Sequence, residues 1–128
     1  MDSKIGKGSK IYSSVIEKAS VGSCCIVGPF SHLKKGTNLS SHVSVGDFCE
    51  IKSSEIASHS KISRLCYLES VKLGEGCTIF SGAKLGGCFD SNKKLIIESG
   101  TIINSDVKIL SPKHVLKGDT LPAGSVIE

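Results

Sequence analysis

The chain has 128 residues, 39% of them hydrophobic and none tryptophan, with 16 lysines and arginines against 12 acidic residues for a formal net charge of +4. That size suits one domain over residues 1–128, and so mild and scattered a charge argues against a nucleic-acid surface. No stretch is apolar or long enough for a membrane span or a signal peptide, so a soluble cytoplasmic protein is expected.

Large aliphatic residues recur from the N-terminus onward. Ile5, Ile11 and Ile16 lead into Val21, Val27, Leu33, Leu39, Val45 and Ile51, a run spaced by six. Ile56, Ile62, Leu68, Leu73, Ile79 and Leu85 follow, with five-residue steps from Ile51 and from Leu68. Ile97, Ile103, Ile109, Val115, Leu121 and Ile127 complete the series. Two positions before each large residue from Ile11 to Leu85 stands a smaller one, such as Cys25, Ser31, Thr37, Cys49 or Ala83. Neither a helix, with its period of about 3.6, nor an ordinary strand, with about 2.0, has this rhythm. Hexads of this kind build parallel β-helices, in which three short strands make one triangular coil and stacked coils share one apolar column. The count predicts an all-β solenoid of about seven coils. The five-residue steps from Ile16, Ile51 and Leu68 all fall on the third side, marking one distinctive corner.

Other features take their places on this frame. Gly6, Gly22, Gly28, Gly46 and Gly74 each follow a large residue, where a corner is crowded. Cys25, Cys49, Cys66 and Cys77 occupy the small interior slot, which predicts buried free thiols rather than disulfides. His42 and His59 stand three positions after Leu39 and Ile56 and should stack at one corner; with no third histidine on that face, no metal site is expected. Glu17, Lys34, Lys52 and Glu69 follow the large residues of the third side and should form an outward ladder of mixed charge. The rhythm breaks once. No aliphatic residue stands at Ser91, and the glycines, Asp90-Ser91-Asn92 and two lysines of residues 86–94 predict a loop excursion of functional interest.

Val27-Gly28-Pro29-Phe30-Ser31-His32-Leu33-Lys34-Lys35-Gly36, Val45-Gly46-Asp47-Phe48-Cys49-Glu50-Ile51-Lys52 and Leu65-Cys66-Tyr67-Leu68 resemble consecutive stretches of one family, as do Ile103-Asn104-Ser105-Asp106 and Pro122-Ala123-Gly124. It is the C-terminal acetyltransferase domain of the bifunctional glucosamine-1-phosphate acetyltransferase / N-acetylglucosamine-1-phosphate uridyltransferase (GlmU) family, among the hexapeptide-repeat transferases. The resemblance covers roughly residues 14–128. It implies a left-handed β-helix, a homotrimer with active sites between subunits, and acetyl-CoA as donor to an amino-sugar phosphate. No uridyltransferase domain is expected in this chain, and whether a separate uridyltransferase chain is a partner stays open.

By the same resemblance, Lys34, Lys52, Tyr67 and Lys93 are the expected contacts for the sugar phosphate, although the loop can be aligned in more than one way. Ser81, Ser105 and Ala123 are those for acetyl-CoA. Arg64 occupies the position of the family's catalytic histidine. An arginine stays protonated and cannot be a general base, but it can hold an anion. Arg64 is also the chain's one arginine, and the sequence ends at Glu128 without the basic tail that grips the coenzyme in the family. Two readings stay open: an acetyl-CoA-dependent N-acetyltransferase with an altered base, or a non-catalytic trimeric module with a pocket for a small anionic ligand around Arg64.

Overall fold

Each hexad folds as a strand of two or three residues and a tight corner, and among the described residues 21 such strands make up three seven-stranded parallel sheets. The computed structural model describes residues 3–87, 93–110, 112 and 114–128. The solenoid has seven turns and is left-handed. Parallel crossovers are right-handed almost everywhere else, because a helix must pack back on its own sheet. Here the connection between paired strands runs through two further strands, and that constraint does not apply.

Register follows the large residues. In the first sheet Val21 pairs with Leu39, Leu39 with Ile56 and Ile56 with Leu73. The second aligns Val27, Val45, Ile62, Ile79 and Ile103. The third aligns Leu33, Ile51, Leu68, Leu85 and Ile109. All of these side chains are buried in one column. Ile5 lies 46% exposed in the first coil and Leu121 and Ile127 are half-buried in the last, so the end coils lack the cover that the middle coils give one another.

The small slot does more than save space. Buried Ser31 donates its hydroxyl to the Gly46 carbonyl at 2.6 Å and accepts from the Cys49 amide at 3.1 Å. Ser60 repeats this with the Gly74 carbonyl and the Cys77 amide, at 2.8 and 3.2 Å. Buried polar groups are thereby satisfied by the coil that follows. Cys25, Cys49, Cys66 and Cys77 are buried free thiols, as expected. The hydrogen bond to Cys49, together with burial, pushes the Cys66 thiol well above the usual range, and burial raises Cys77.

Many corners use a left-handed residue, at φ 60° in Phe30, 62° in His42 and 58° in Leu65. This conformation costs an ordinary side chain roughly 1–2 kcal/mol. At these three corners the amide N–H donates to the coil before: Phe30 to Ser13, His42 to Ser23, Leu65 to Asp47. Gly46 meets a different demand, since a Cβ there would lie 2.8 Å from the Arg64 amide nitrogen.

The excursion is shorter than residues 86–94. Gly86 pairs with Glu69 in the third sheet, and Leu95 is fully buried at the head of strand Leu95–Ile97. The repeat places Ile97 in this strand, while Leu95 fills the slot that holds Ala19, Thr37, Ser54 and Val71 in the coils before it. Residues 88–92 of the expected excursion lie outside the described residues.

Candidate functional site

The corner between the second and third sheets carries a straight line of residues. Asp47, Arg64, Ser81, Ser105 and Ala123 each lie two positions beyond a large residue of the second sheet, on successive coils. The Arg64 carbonyl accepts from the Gly82 amide at 3.2 Å, that of Ser81 from Asp106 at 3.0 Å, and that of Ser105 from Gly124 at 2.9 Å. Coils repeat every ~4.8 Å, so Arg64 to Ala123 is a track of about 14 Å. Its side chains beyond Arg64 are small, which leaves the backbone open to a long ligand. The structure thus places Arg64 in line with the three residues expected to meet acetyl-CoA.

Arg64 is not alone. Its Nη2 lies 3.5 Å from Asp47 Oδ2, with the arginine side chain 58% exposed and that of Asp47 30%. An ion pair this open contributes about 1 kcal/mol or less, yet it sets a carboxylate beside the guanidinium. Asp47 was missed in the sequence, although it stands 17 residues before Arg64, one coil earlier on the repeat. The same corner exposes Phe30, Phe48 and Leu65, and the two phenylalanine rings stack with centroids 5.4 Å apart.

The outer face of the third sheet begins at this corner. Tyr67 lies three residues beyond Arg64 on the same coil, half-buried, with its hydroxyl on the Glu69 carboxylate. Glu17, Lys34, Lys52 and Glu69 stack along the far edge, as the ladder predicts. Lys34 donates to Glu50 Oε2 at 3.0 Å, and Glu17 pairs with His32. Lys34 and Lys52 therefore neighbour one another, while Arg64 occupies the opposite edge of the face. The excursion borders both edges. A Cβ on Gly87 would fall 2.9 Å from Tyr67 Cε1, so the chain departs across the tyrosine ring. It returns with Lys94, which donates to the Ser53 carbonyl at 2.8 Å, and Lys93 is exposed just before it. His42 and His59 stack at the remaining corner, with centroids 4.9 Å apart and rings 4° from parallel. No group of three or more metal-ligating side chains occurs among the described residues.

Known proteins resemble the sequence over nearly the whole chain. It is 38% identical over 127 residues to the bifunctional protein GlmU of Nitrosomonas europaea, covering 96% of the chain and 27% of that protein. With GlmU of Clostridium perfringens (strain SM101) the identity is 36% over 128 residues, 98% of the chain and 28% of the relative. The chain is a relative of GlmU. It spans little more than a quarter of the length of these GlmU proteins. No family model matches the chain. Among solved structures, a hexapeptide transferase family protein from Anaplasma phagocytophilum superposes with a TM-score of 0.58 at 13% identity, over 96% of this chain and 72% of that one. The UDP-N-acetylglucosamine acyltransferase of Francisella novicida gives 0.52 at 15%, over 98% and 59%. At such identities these two likenesses concern the fold, and the GlmU kinship rests on sequence.

Proposed function

We propose that the chain is an acyltransferase of the hexapeptide kind, which moves an acetyl group from acetyl-CoA to the amine of an amino-sugar phosphate. One observation carries this reading: the line Arg64, Ser81, Ser105, Ala123 borders the face that bears Tyr67, Lys52 and Lys34. In this reading the coenzyme lies along the corner, against open backbone. The sugar phosphate lies on the face, with its phosphate held by Lys34 and Lys52 and its ring by Tyr67 and Lys93. Phe30, Phe48 and Leu65, which are 61%, 51% and 55% exposed, favour burial against further copies in a homotrimer. A cytoplasmic setting, with acetyl-CoA and reduced thiols at hand, accords with the free cysteines.

Transfer forms a C–N bond at the acetyl carbon and breaks the C–S bond, and the thiolate gains the proton that the amine gives up. Arg64 cannot accept that proton, so the amine must arrive neutral. The rate then tracks the amine's own ionisation and rises with pH, with no step near 6.5, where an ordinary histidine titrates. Arg64 instead offers positive charge to the departing thiolate.

The test is release of free CoA from acetyl-CoA and glucosamine-1-phosphate across a pH series. Slow release that climbs with pH is expected, and Arg64→His should speed it by about 100- to 10,000-fold near neutral pH. Silence from both proteins would overturn the proposal. A silent wild type with an active Arg64→His protein would establish the second reading, a non-catalytic binding module. The Arg64–Asp47 pair favours that reading by occupying the catalytic position with a structural contact.

A further inference from the structure

The far edge of the third sheet meets the corner leading to the first sheet in a cavity of about 390 Å³, lined by Glu17, Lys18, Lys34, Lys35 and Lys52. Its four lysines come from three successive coils. Lys18 follows Ile16, Lys34 and Lys35 follow Leu33, and Lys52 follows Ile51, and these large residues lie in register. Two coil steps separate the outermost pair, about 10 Å at ~4.8 Å per step. The neighbouring carboxylates have other partners, Glu17 with His32, Glu50 with Lys34, and Glu69, beside Lys52 in register, with the Tyr67 hydroxyl. Among the described residues no ion pair holds Lys18, Lys35 or Lys52. Four lysines face one cavity against the single carboxylate of Glu17, an excess of positive charge that favours a further anion there.

The corner backbone keeps Lys18 and Lys35 in place. The Lys18 carbonyl accepts from the Gly36 amide at 3.1 Å, and that of Lys35 accepts from the Ser53 amide at 3.1 Å. Ser53 also receives Lys94, which ties the end of the excursion to this corner. Lys34 and Lys52 are the pair assigned above to one phosphate. Lys18 and Lys35 have no part in that assignment, and the length of the row exceeds what one phosphate can contact with hydrogen bonds of about 2.7–2.9 Å.

We infer that Lys18 and Lys35 form a second phosphoryl subsite beside Lys34 and Lys52, so that the site prefers an acceptor with a diphosphate, as in a nucleoside-diphosphate-linked amino sugar, over one with a single phosphate, which it still accepts. This deepens the proposed function and rests on its placement of the sugar phosphate.

Calorimetric titration of the full chain with inorganic phosphate and with inorganic pyrophosphate, at one pH and fixed ionic strength near 0.15 M, tests it. Pyrophosphate should bind at least tenfold more tightly than phosphate. Lys18→Gln combined with Lys35→Gln should bring that ratio to within twofold of unity while leaving phosphate affinity nearly unchanged. Lys52→Gln should weaken both ligands, and unaltered circular dichroism and melting would show each variant folded. Equal affinities in the wild type, or a ratio that survives the double substitution, would overturn the second subsite. If phosphate binding does not respond to Lys52→Gln, the underlying assignment fails as well, a result distinct from loss of the diphosphate preference alone.

Discussion

The corner between the second and third sheets and the corner between the third and first share a backbone but not a chemistry. Phe48 and Leu65 adopt φ 56° and 58° at one, and Ser53 and Ser70 adopt 51° and 59° at the other. In both, the amide of that residue donates to the coil before, Phe48 to Pro29 and Ser53 to Lys35. Yet the first corner displays stacked rings, Arg64 and a line of small residues, while the second displays lysines and receives the excursion. Beneath them the interior differs too, with Cys49 and Cys66 under one and Ala19, Thr37, Ser54 and Val71 under the other. The solenoid supplies positions at a fixed pitch, and the outward side chains decide what each row can hold.

The sharpest way to break this equivalence is through the glycines. At the Arg64 corner, Gly46→Val would press side-chain carbon onto the Arg64 nitrogen and the Ser63 carbonyl carbon, where a Cβ already falls at 2.8 and 3.0 Å. Both are backbone atoms that cannot step aside, so a loss of about 3 kcal/mol is expected in urea denaturation. At the lysine corner, Gly36→Ala brings a Cβ only to 3.3 Å from Ser53 Cα, but Gly36 has φ +84°. A smaller loss of about 1–2 kcal/mol is expected, from conformation rather than collision.

Alkaline titration separates the two interiors. The Cys66 thiol is pushed up in the folded chain by its hydrogen bond to Cys49 and by burial. Its contribution to stability is therefore complete below the unfolded value near 8.5 and is lost as pH rises toward the folded value. Above about pH 8.5 stability should fall by up to about 1.4 kcal/mol per pH unit for this thiol. Melting curves of Cys66→Ala should show a shallower alkaline slope, whereas Ser54→Ala, under the other corner, should leave the slope unchanged.

The smallest effect belongs to Asp47→Asn. Breaking an exposed pair at 3.5 Å should change stability by no more than about 1 kcal/mol, and less in high salt. Its value lies elsewhere, for it frees the guanidinium. Anion binding at the Arg64 corner should then strengthen while pyrophosphate binding at the lysine corner stays constant, as parallel titrations would show.

Much of this was legible in the hexads. Val27 over Val45 over Ile62, the four buried cysteines, the stacked His42 and His59 and the Lys34–Lys52 ladder all follow from counting by five and six. The line Arg64, Ser81, Ser105, Ala123 was reachable by the same count, but only the resemblance to GlmU singled those residues out. Leu95 escaped because the break in rhythm at Ser91 left it beside the expected excursion, although it fills the slot that Ala19, Thr37, Ser54 and Val71 fill in the coils before it. Asp47, Lys18 and Lys35 escaped because a charged residue at an outward position looks like any solvated one until its neighbours are known.

The fold, most inward residues and the order of coils follow from the hexads alone, because a parallel β-helix is nearly one-dimensional and each residue's neighbours lie one repeat away. Which outward charges pair with one another and which do not is set by the folded geometry. Glu17 turns to His32, Glu50 to Lys34 and Asp47 to Arg64, while Lys18, Lys35 and Lys52 face a shared cavity. The reason is physical. Burial fixes inward side chains through periodicity, whereas long exposed side chains choose among several partners within reach, a choice that depends on geometry rather than on spacing along the chain.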